Sequence, residues 1–220
     1  MKPWIKIERI PSPLASAYIK ATQFAVDSYY RPVAGEVVAA IDRGWILDLG
    51  TGPGHLPVEI ARRAPDLRII GVDLSRRMIA AARANAAKAG VGRQVRFVVG
   101  DSGRLRFGDA RFDMVVSTGM LHSLKDPVGV FREIYRVLKK GGQAWGFDPT
   151  NLGHPQLRQQ WQASLEAQER FFLWLFTALK IHRPARPLPP DRVRAIIDAT
   201  DFRHYDMDVR RNEIRIKMRK

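Results

Sequence analysis

Two kinds of periodicity divide the chain. Through residues 13–42, small and branched apolar residues recur at helical spacing, in AYIKATQFAVDSYY and again in PVAGEVVAAI. Arg31-Pro32 interrupts the run, because a proline disfavours helical backbone in the residue before it, and two helices are predicted. From Trp45 the pattern becomes short apolar runs alternating with amphipathic stretches. WILDLG, LRIIGVD, VRFVVGD, FDMVVSTGM and GQAWGFD read as strands, and HLPVEIARRA, SRRMIAAARANAAKAG and PVGVFREIYRVLKKGG as helices. Gly90 is a stop signal for the second of these helices, and Lys139 and Lys140 suit the C-terminal end of the third. Strands alternating with helices imply an α/β fold with a doubly wound, mostly parallel sheet.

After Asp148 the alternation stops. Residues 154–183 read as one long helix with Pro155 in its first turn, followed by the stiff connector RPARPLPP. The short helix DRVRAIIDAT comes next, then FRHYDMDV and EIRIKMR, so closely spaced that they form an antiparallel hairpin. Along the long helix Leu157, Trp161, Leu165, Phe172, Phe176 and Leu179 share one stripe, and residues 171–176 are apolar all round. Such a surface has to be covered. The N-terminal helices together with a homodimer partner can do so, and so can an apolar acceptor pocket or a membrane-contacting edge. The 220 residues thus form a single domain: N-terminal helices (1–44), a core (45–148), a helical lid insertion with its Pro-rich connector (149–190), and a last helix with the hairpin (191–220).

Composition narrows the chemistry. With no cysteine there is no thiolate nucleophile, Cys-ligated zinc, iron–sulfur cluster or redox pair. No apolar run approaches the ~20 residues needed to span a bilayer, and the first residues lack a signal-peptide pattern, so a cytoplasmic location is expected. The net charge of +15 suggests an anionic partner such as RNA or an acidic membrane surface. That excess is spread as +2, +7 and +6 over residues 1–44, 45–150 and 151–220. Its densest stretch is VRRNEIRIKMRK, where Ile214, Ile216 and Met218 alternate with Arg215, Lys217 and Arg219. The pattern reads as a half-buried strand with one solvated basic face, in preference to a dedicated nucleic-acid patch.

The chemistry concentrates after the first strand, in Asp48-Leu49-Gly50-Thr51-Gly52-Pro53-Gly54. Glycines at 50, 52 and 54 let the backbone turn sharply and approach a ligand, and the helix that follows offers free N–H groups. A dinucleotide fingerprint would place its third glycine at position 55, which is histidine, and no Gly-Lys-Ser/Thr is present to make a P-loop. Asp73 ends the second strand, where a carboxylate accepts both hydroxyls of a ribose; Asp101 ends the third, where it can accept from an exocyclic amine. Each aspartate alone could be a helix cap or turn residue, but three strand ends in register describe an adenosine pocket without a pyrophosphate site.

At these residues the sequence resembles the class I S-adenosylmethionine-dependent methyltransferases, in particular the broad group that includes ubiquinone-biosynthesis-type enzymes. ILDLGTGPG, GVDLS, VVGD, FDMVVSTGMLHSLKDP and RVLKKGGQAWGFD match in order and spacing. The resemblance implies a seven-stranded sheet in the order 3-2-1-4-5-7-6 with the last strand antiparallel, and S-adenosylmethionine as cofactor. It implies that Asp48, Gly50, Thr51, Gly52 and Gly54 form the methionine-side loop. Asp73 would hold the ribose with Leu74 packing near the adenine, Asp101 with Ser102 would meet the adenine edge, and Ser117 with Thr118 would face the methionine end. Tyr30 and Arg31 are candidates for the cofactor's rim, Arg31 for the methionine carboxylate, although Tyr29 and Tyr30 also suit core anchoring.

A sulfonium methyl is already activated, so alignment and a dry site are the protein's main tasks. His122, just beyond the fourth strand, is the candidate base, with a structural role as its alternative. Ser117-Thr118-Gly119-Met120 stands where nucleic-acid amino-methylating enzymes carry an Asn/Asp-Pro-Pro-aromatic run, and cytosine C5 methylation of the usual kind needs the missing cysteine. The oxygen-ligand cluster of a metal-dependent catechol mechanism cannot be assembled either. The reading is methyl transfer to O, N or C of a small, apolar or aromatic acceptor. An RNA acceptor and a non-catalytic S-adenosylmethionine-binding scaffold are the rivals.

Overall fold

The computed structural model describes residues 12–149, 188–210 and 213–220. Helix α1 (Ser12–Phe24) passes through a π-turn (Val26–Tyr30) into α2 (Arg31–Ala40). The interruption expected at Arg31-Pro32 is therefore a widening of the helix: Tyr30 keeps helical angles, and Pro32 sits in the first turn of α2, where its missing N–H costs nothing. Then follow β1 (Gly44–Leu49), α3 (His55–Ala61), β2 (Leu67–Asp73), α4 (Arg76–Lys88), β3 (Val95–Val99) and β4 (Phe112–Thr118). A 3₁₀ turn (Leu121–Ser123), α5 (Pro127–Val137), β5 (Leu138–Pro149), α6 (Pro190–Asp198), β6 (His204–Arg210) and β7 (Glu213–Arg219) complete the order. Residues 155–183, read as the lid helix, lie outside the described residues.

The sheet runs β3-β2-β1-β4-β5-β7-β6, with β7 antiparallel to both its neighbours and β1 to β5 parallel. Both faces are covered, which is why the strands read as continuous apolar runs. Leu47, Leu49, Val115, Ile214, Ile216 and Met218 pack beneath α5 and α6. Ile46, Ile69, Met114, Val116, Trp145 and Phe147 pack beneath α2, α3 and α4. Strand order reverses between β1 and β4, so the crevice at the carboxyl ends of these strands opens where the glycine loop stands.

Two readings of the sequence are corrected. Lys139 and Lys140 do not cap a helix: α5 stops at Val137, and both lysines belong to β5, whose register against β4 shifts between Phe112 and Met114. The Lys139 ammonium sits 2.8 Å from the Asp113 carboxylate, an ion pair that holds Lys139 in the strand, and Lys140 is exposed. The basic face of β7 is solvated only in part: Arg219 is exposed and Lys217 half-exposed, whereas Arg215 is covered. Because β7 lies inside the sheet, Arg215 reaches Glu36 of α2 at 2.6 Å and stacks over Phe147, while Lys217 stands 3.8 Å above the Trp145 ring.

Close packing around Phe97 fixes the register of the loop side. A Cβ on Gly71 would meet Phe97 Cδ1 and Thr51 Oγ1, each at 2.6 Å, and one on Gly54 would meet Phe97 Cζ at 2.7 Å. Gly54 also needs φ of +77°, which a side chain resists. Gly71→Ala is expected to lower stability by about 1–3 kcal/mol in urea unfolding, and a second change, Phe97→Leu, to restore part of that loss. An unchanged midpoint in Gly71→Ala contradicts this packing.

Candidate active site

The glycine loop is built by backbone bonds at the ends of β1 and β2. Thr51 N–H donates to the Val72 carbonyl (3.0 Å), and Gly54 N–H to the Thr51 carbonyl (2.9 Å). Asp73 completes the frame: Oδ2 accepts from Gly52 N–H at 3.0 Å and Oδ1 from Ser75 N–H at 2.8 Å. Ser75 in turn caps α4 by accepting from Met78 N–H, so one carboxylate ties the loop to the start of the next helix. Leu74 is half-buried beside it.

Asp48 points to the α2 and α3 face and is 1% exposed. Its Oδ1, Thr51 Oγ1 and His55 Nε2 are buried without a hydrogen-bond partner. Orphaned polar atoms of this kind are rare unless they serve a ligand. Burial lifts the Asp48 carboxyl to about 7, with the nearby Thr51 hydroxyl opposing the shift and the Asp73 carboxylate adding to it, and burial raises Asp73 as well against its two backbone bonds. Burial also lowers His55 to about 4. Two carboxylates beside a loop too close for side chains suit a cationic ligand with hydroxyls, and S-adenosylmethionine fits that description.

Tyrosines close the N-terminal side. A Cβ on Gly52 would lie 3.8 Å from Tyr18 Cε1, and burial with the Asp73 charge pushes the Tyr18 hydroxyl up to about 12. Tyr30 packs against Tyr29 (ring centroids 5.2 Å) and His55 (5.4 Å), and burial holds its hydroxyl well above the usual value. Arg31 is half-exposed, 2.6 Å from Asp27 and 3.4 Å from Glu59. At the other end Asp101 is exposed, its Oδ1 accepting from Gly103 N–H at 2.8 Å, with Ser102 next to it.

Ser117 and Thr118 end β4 opposite Gly146 and Phe147 of β5. The chain then turns at Gly119, whose N–H donates to the Phe147 carbonyl (2.7 Å), and Met120 folds back to within 3.1 Å of where a Gly50 side chain would begin. His122 follows in the 3₁₀ turn, with Nδ1 2.9 Å from Asp148 Oδ1. Sequence reasoning missed Asp148, Tyr18 and Met120. Asp148 was visible as an acid at the end of the fifth strand, the same signal that marked Asp73 and Asp101.

A methyltransferase domain model matches residues 46–142. The demethylmenaquinone methyltransferase of Roseiflexus castenholzii is 30% identical over 165 residues, 68% of each chain. The chain belongs to the class I S-adenosylmethionine-dependent methyltransferases. The ubiquinone/menaquinone biosynthesis C-methyltransferase of Desulfotalea psychrophila is 36% identical over 107 residues, 49% of this methyltransferase and 42% of that protein. This methyltransferase spans about half the length of several such relatives. Among solved structures, a proposed S-adenosyl-L-methionine-dependent methyltransferase from Methanococcus maripaludis superposes with a TM-score of 0.72 at 25% identity, covering 100% of this chain and 97% of its own.

The buried charges set a pH dependence. Asp48 titrates near 7 when folded and near 3.8 otherwise, so the stability it supports is complete below about 3.8 and lost as pH rises to 7. His55 acts oppositely: its folded value of about 4 lies below 6.5, so stability falls as pH drops from 6.5 to 4. The two slopes offset one another in the unliganded protein. Replacing Asp48→Asn removes one of them. The variant's gain over wild type in urea unfolding should grow from near zero at pH 4 to about 3 kcal/mol at pH 7.5. A difference independent of pH contradicts the assignment.

Proposed function

We propose that this methyltransferase moves a methyl group to a small, apolar or aromatic acceptor, of the quinone-ring type for which its relatives are named. The observation that carries the reading is the character of the β4 and β5 ends. Met120, Leu121 and Phe147 line them, and His122 is the titratable side chain presented beside Asp148. A ring with few charges suits such a lining better than a polyanion does.

S-adenosylmethionine supplies, when bound, a methyl group already activated on sulfur. Asp48 and the glycine loop would hold its methionine end, Asp73 its ribose, and Asp101 with Ser102 its adenine edge. Tyr18 and Tyr30 would exclude water from the N-terminal side, which strengthens every charge interaction inside. Arg31 stands with Glu59 and Asp27, and a role toward the methionine carboxylate requires it to leave them. His122 takes the proton that an O–H acceptor must lose, a task worth roughly 10²–10⁴ in rate.

The net charge of +15 favours RNA less than it first suggests, because Arg215 and Lys217 of the densest basic run are engaged by Glu36 and aromatic rings. The expectation of a homodimer partner or a membrane contact rests on residues 155–183, which lie outside the described residues. Among the described residues no helix is long and apolar enough to cross a membrane.

Methyl-labelled S-adenosylmethionine, offered with a panel of hydroquinones and phenols and separately with structured RNA, tests the proposal. Label is expected in the organic products, with a rate insensitive to salt between 50 and 200 mM. Label in RNA, with the steep salt dependence of phosphate contacts, would overturn it.

A further inference from the structure

Asp148 is one of the most buried acids among the described residues, at 4% exposure. It is the penultimate residue of β5, next to Phe147, whose carbonyl accepts from Gly119 N–H (2.7 Å) and from the Tyr29 hydroxyl (3.5 Å). That carbonyl pins the turn after β4 to the end of β5. Asp148 then meets the same turn again, through the 2.9 Å contact to His122 Nδ1. An apolar cavity of about 30 Å³, lined in part by Met120, Leu121 and Phe147, adjoins it.

A buried carboxylate accepts and does not donate, so the nitrogen facing it must carry the proton. We infer that Asp148 is a positioning residue that holds His122 in the Nδ1–H tautomer, leaving Nε2 as the ring's acceptor nitrogen. The inference rests on the proposal above that His122 takes the acceptor's proton. In that step the acceptor O–H bond breaks and its proton bonds to Nε2. The electron pair stays on that oxygen, which forms the new bond to the methyl carbon as the carbon–sulfur bond breaks and its pair passes to sulfur; where a ring carbon forms the bond instead, its own hydrogen leaves as a proton to restore the aromatic ring. The imidazolium that results sits against the Asp148 carboxylate, which stabilises the charge as it develops.

Other charged groups face this pair. Tyr29 couples to Asp148, and beyond it Glu213 and Arg215 form an ion pair that also reaches Glu36. Burial raises the Tyr29 hydroxyl strongly, so it stays protonated through the range in which histidine titrates. Lys125 and Asp126 follow the turn at the surface. Of these groups Asp148 is the one in hydrogen-bond contact with the ring.

The test compares wild type with Asp148→Asn and His122→Gln, the latter keeping a donor for the buried carboxylate. Nitrogen-15 NMR of the histidine rings in the unliganded protein reads the tautomer directly. Wild type should show Nδ1–H with a bare Nε2 at His122, and Asp148→Asn should shift that ring toward Nε2–H. In the acceptor assay Asp148→Asn should lower kcat at least tenfold with KM for cofactor and acceptor within threefold, and move the acid limb of the pH profile to lower pH. An unchanged tautomer in Asp148→Asn, or kcat within threefold of wild type while His122→Gln is inactive, overturns the positioning role. Full activity in His122→Gln instead overturns the proton-acceptor role of His122, and the NMR result then still decides whether Asp148 sets the tautomer.

Discussion

The hydrogen bonds from Gly52 and Ser75 to the Asp73 carboxylate are the interaction on which the site depends. They join the glycine loop, the end of β2 and the cap of α4 through one side chain. The same carboxylate lies close enough to Asp48 to raise it further, at a place where burial already disfavours both charges. Such a pair is costly to bury, and a cationic cofactor with ribose hydroxyls, as proposed, would offset that cost. The packing of Phe97 against Gly54 and Gly71 is the mechanical counterpart: it brings the loop to β2 closely enough for the bonds to form.

From that frame the molecule divides into two chemical halves. On the β1 and β2 side, buried carboxylates and tyrosines make an electronegative cradle. On the β4 and β5 side the lining is apolar and the polar groups are a histidine and an aspartate in contact. Both halves open at the carboxyl ends of parallel strands, next to the reversal of strand order between β1 and β4. The parallel sheet thus sets the distance between the two ligands before any loop is considered.

Much of this was legible in the chain. Alternating strands and helices indicated the doubly wound sheet, and the closing hairpin indicated the antiparallel strand. Asp73 and Asp101 stood out as acids at the ends of apolar strands, and Asp48 through the resemblance of its glycine loop to the family's. What was hidden depends on distant partners. Asp148 is recognisable only beside His122, 26 residues earlier, through pairing of β4 with β5. Lys139-Lys140-Gly141-Gly142 looks like a helix terminus locally, but Asp113 on the neighbouring strand draws Lys139 into a bulged β5. Arg215 and Lys217 alternate like a solvated face, and only Glu36 on α2 shows that Arg215 is covered and Lys217 partly so.

Asp73 is proposed to anchor the cofactor through its ribose. Isothermal titration of S-adenosylmethionine into wild type and Asp73→Ala, with circular dichroism to verify that the variant is folded, addresses it most directly. Loss of the bonds that a carboxylate makes to two hydroxyls should weaken binding by at least tenfold, about 1.4 kcal/mol or more. Equal affinity in a folded Asp73→Ala variant would contradict the claim and remove the cradle from the function.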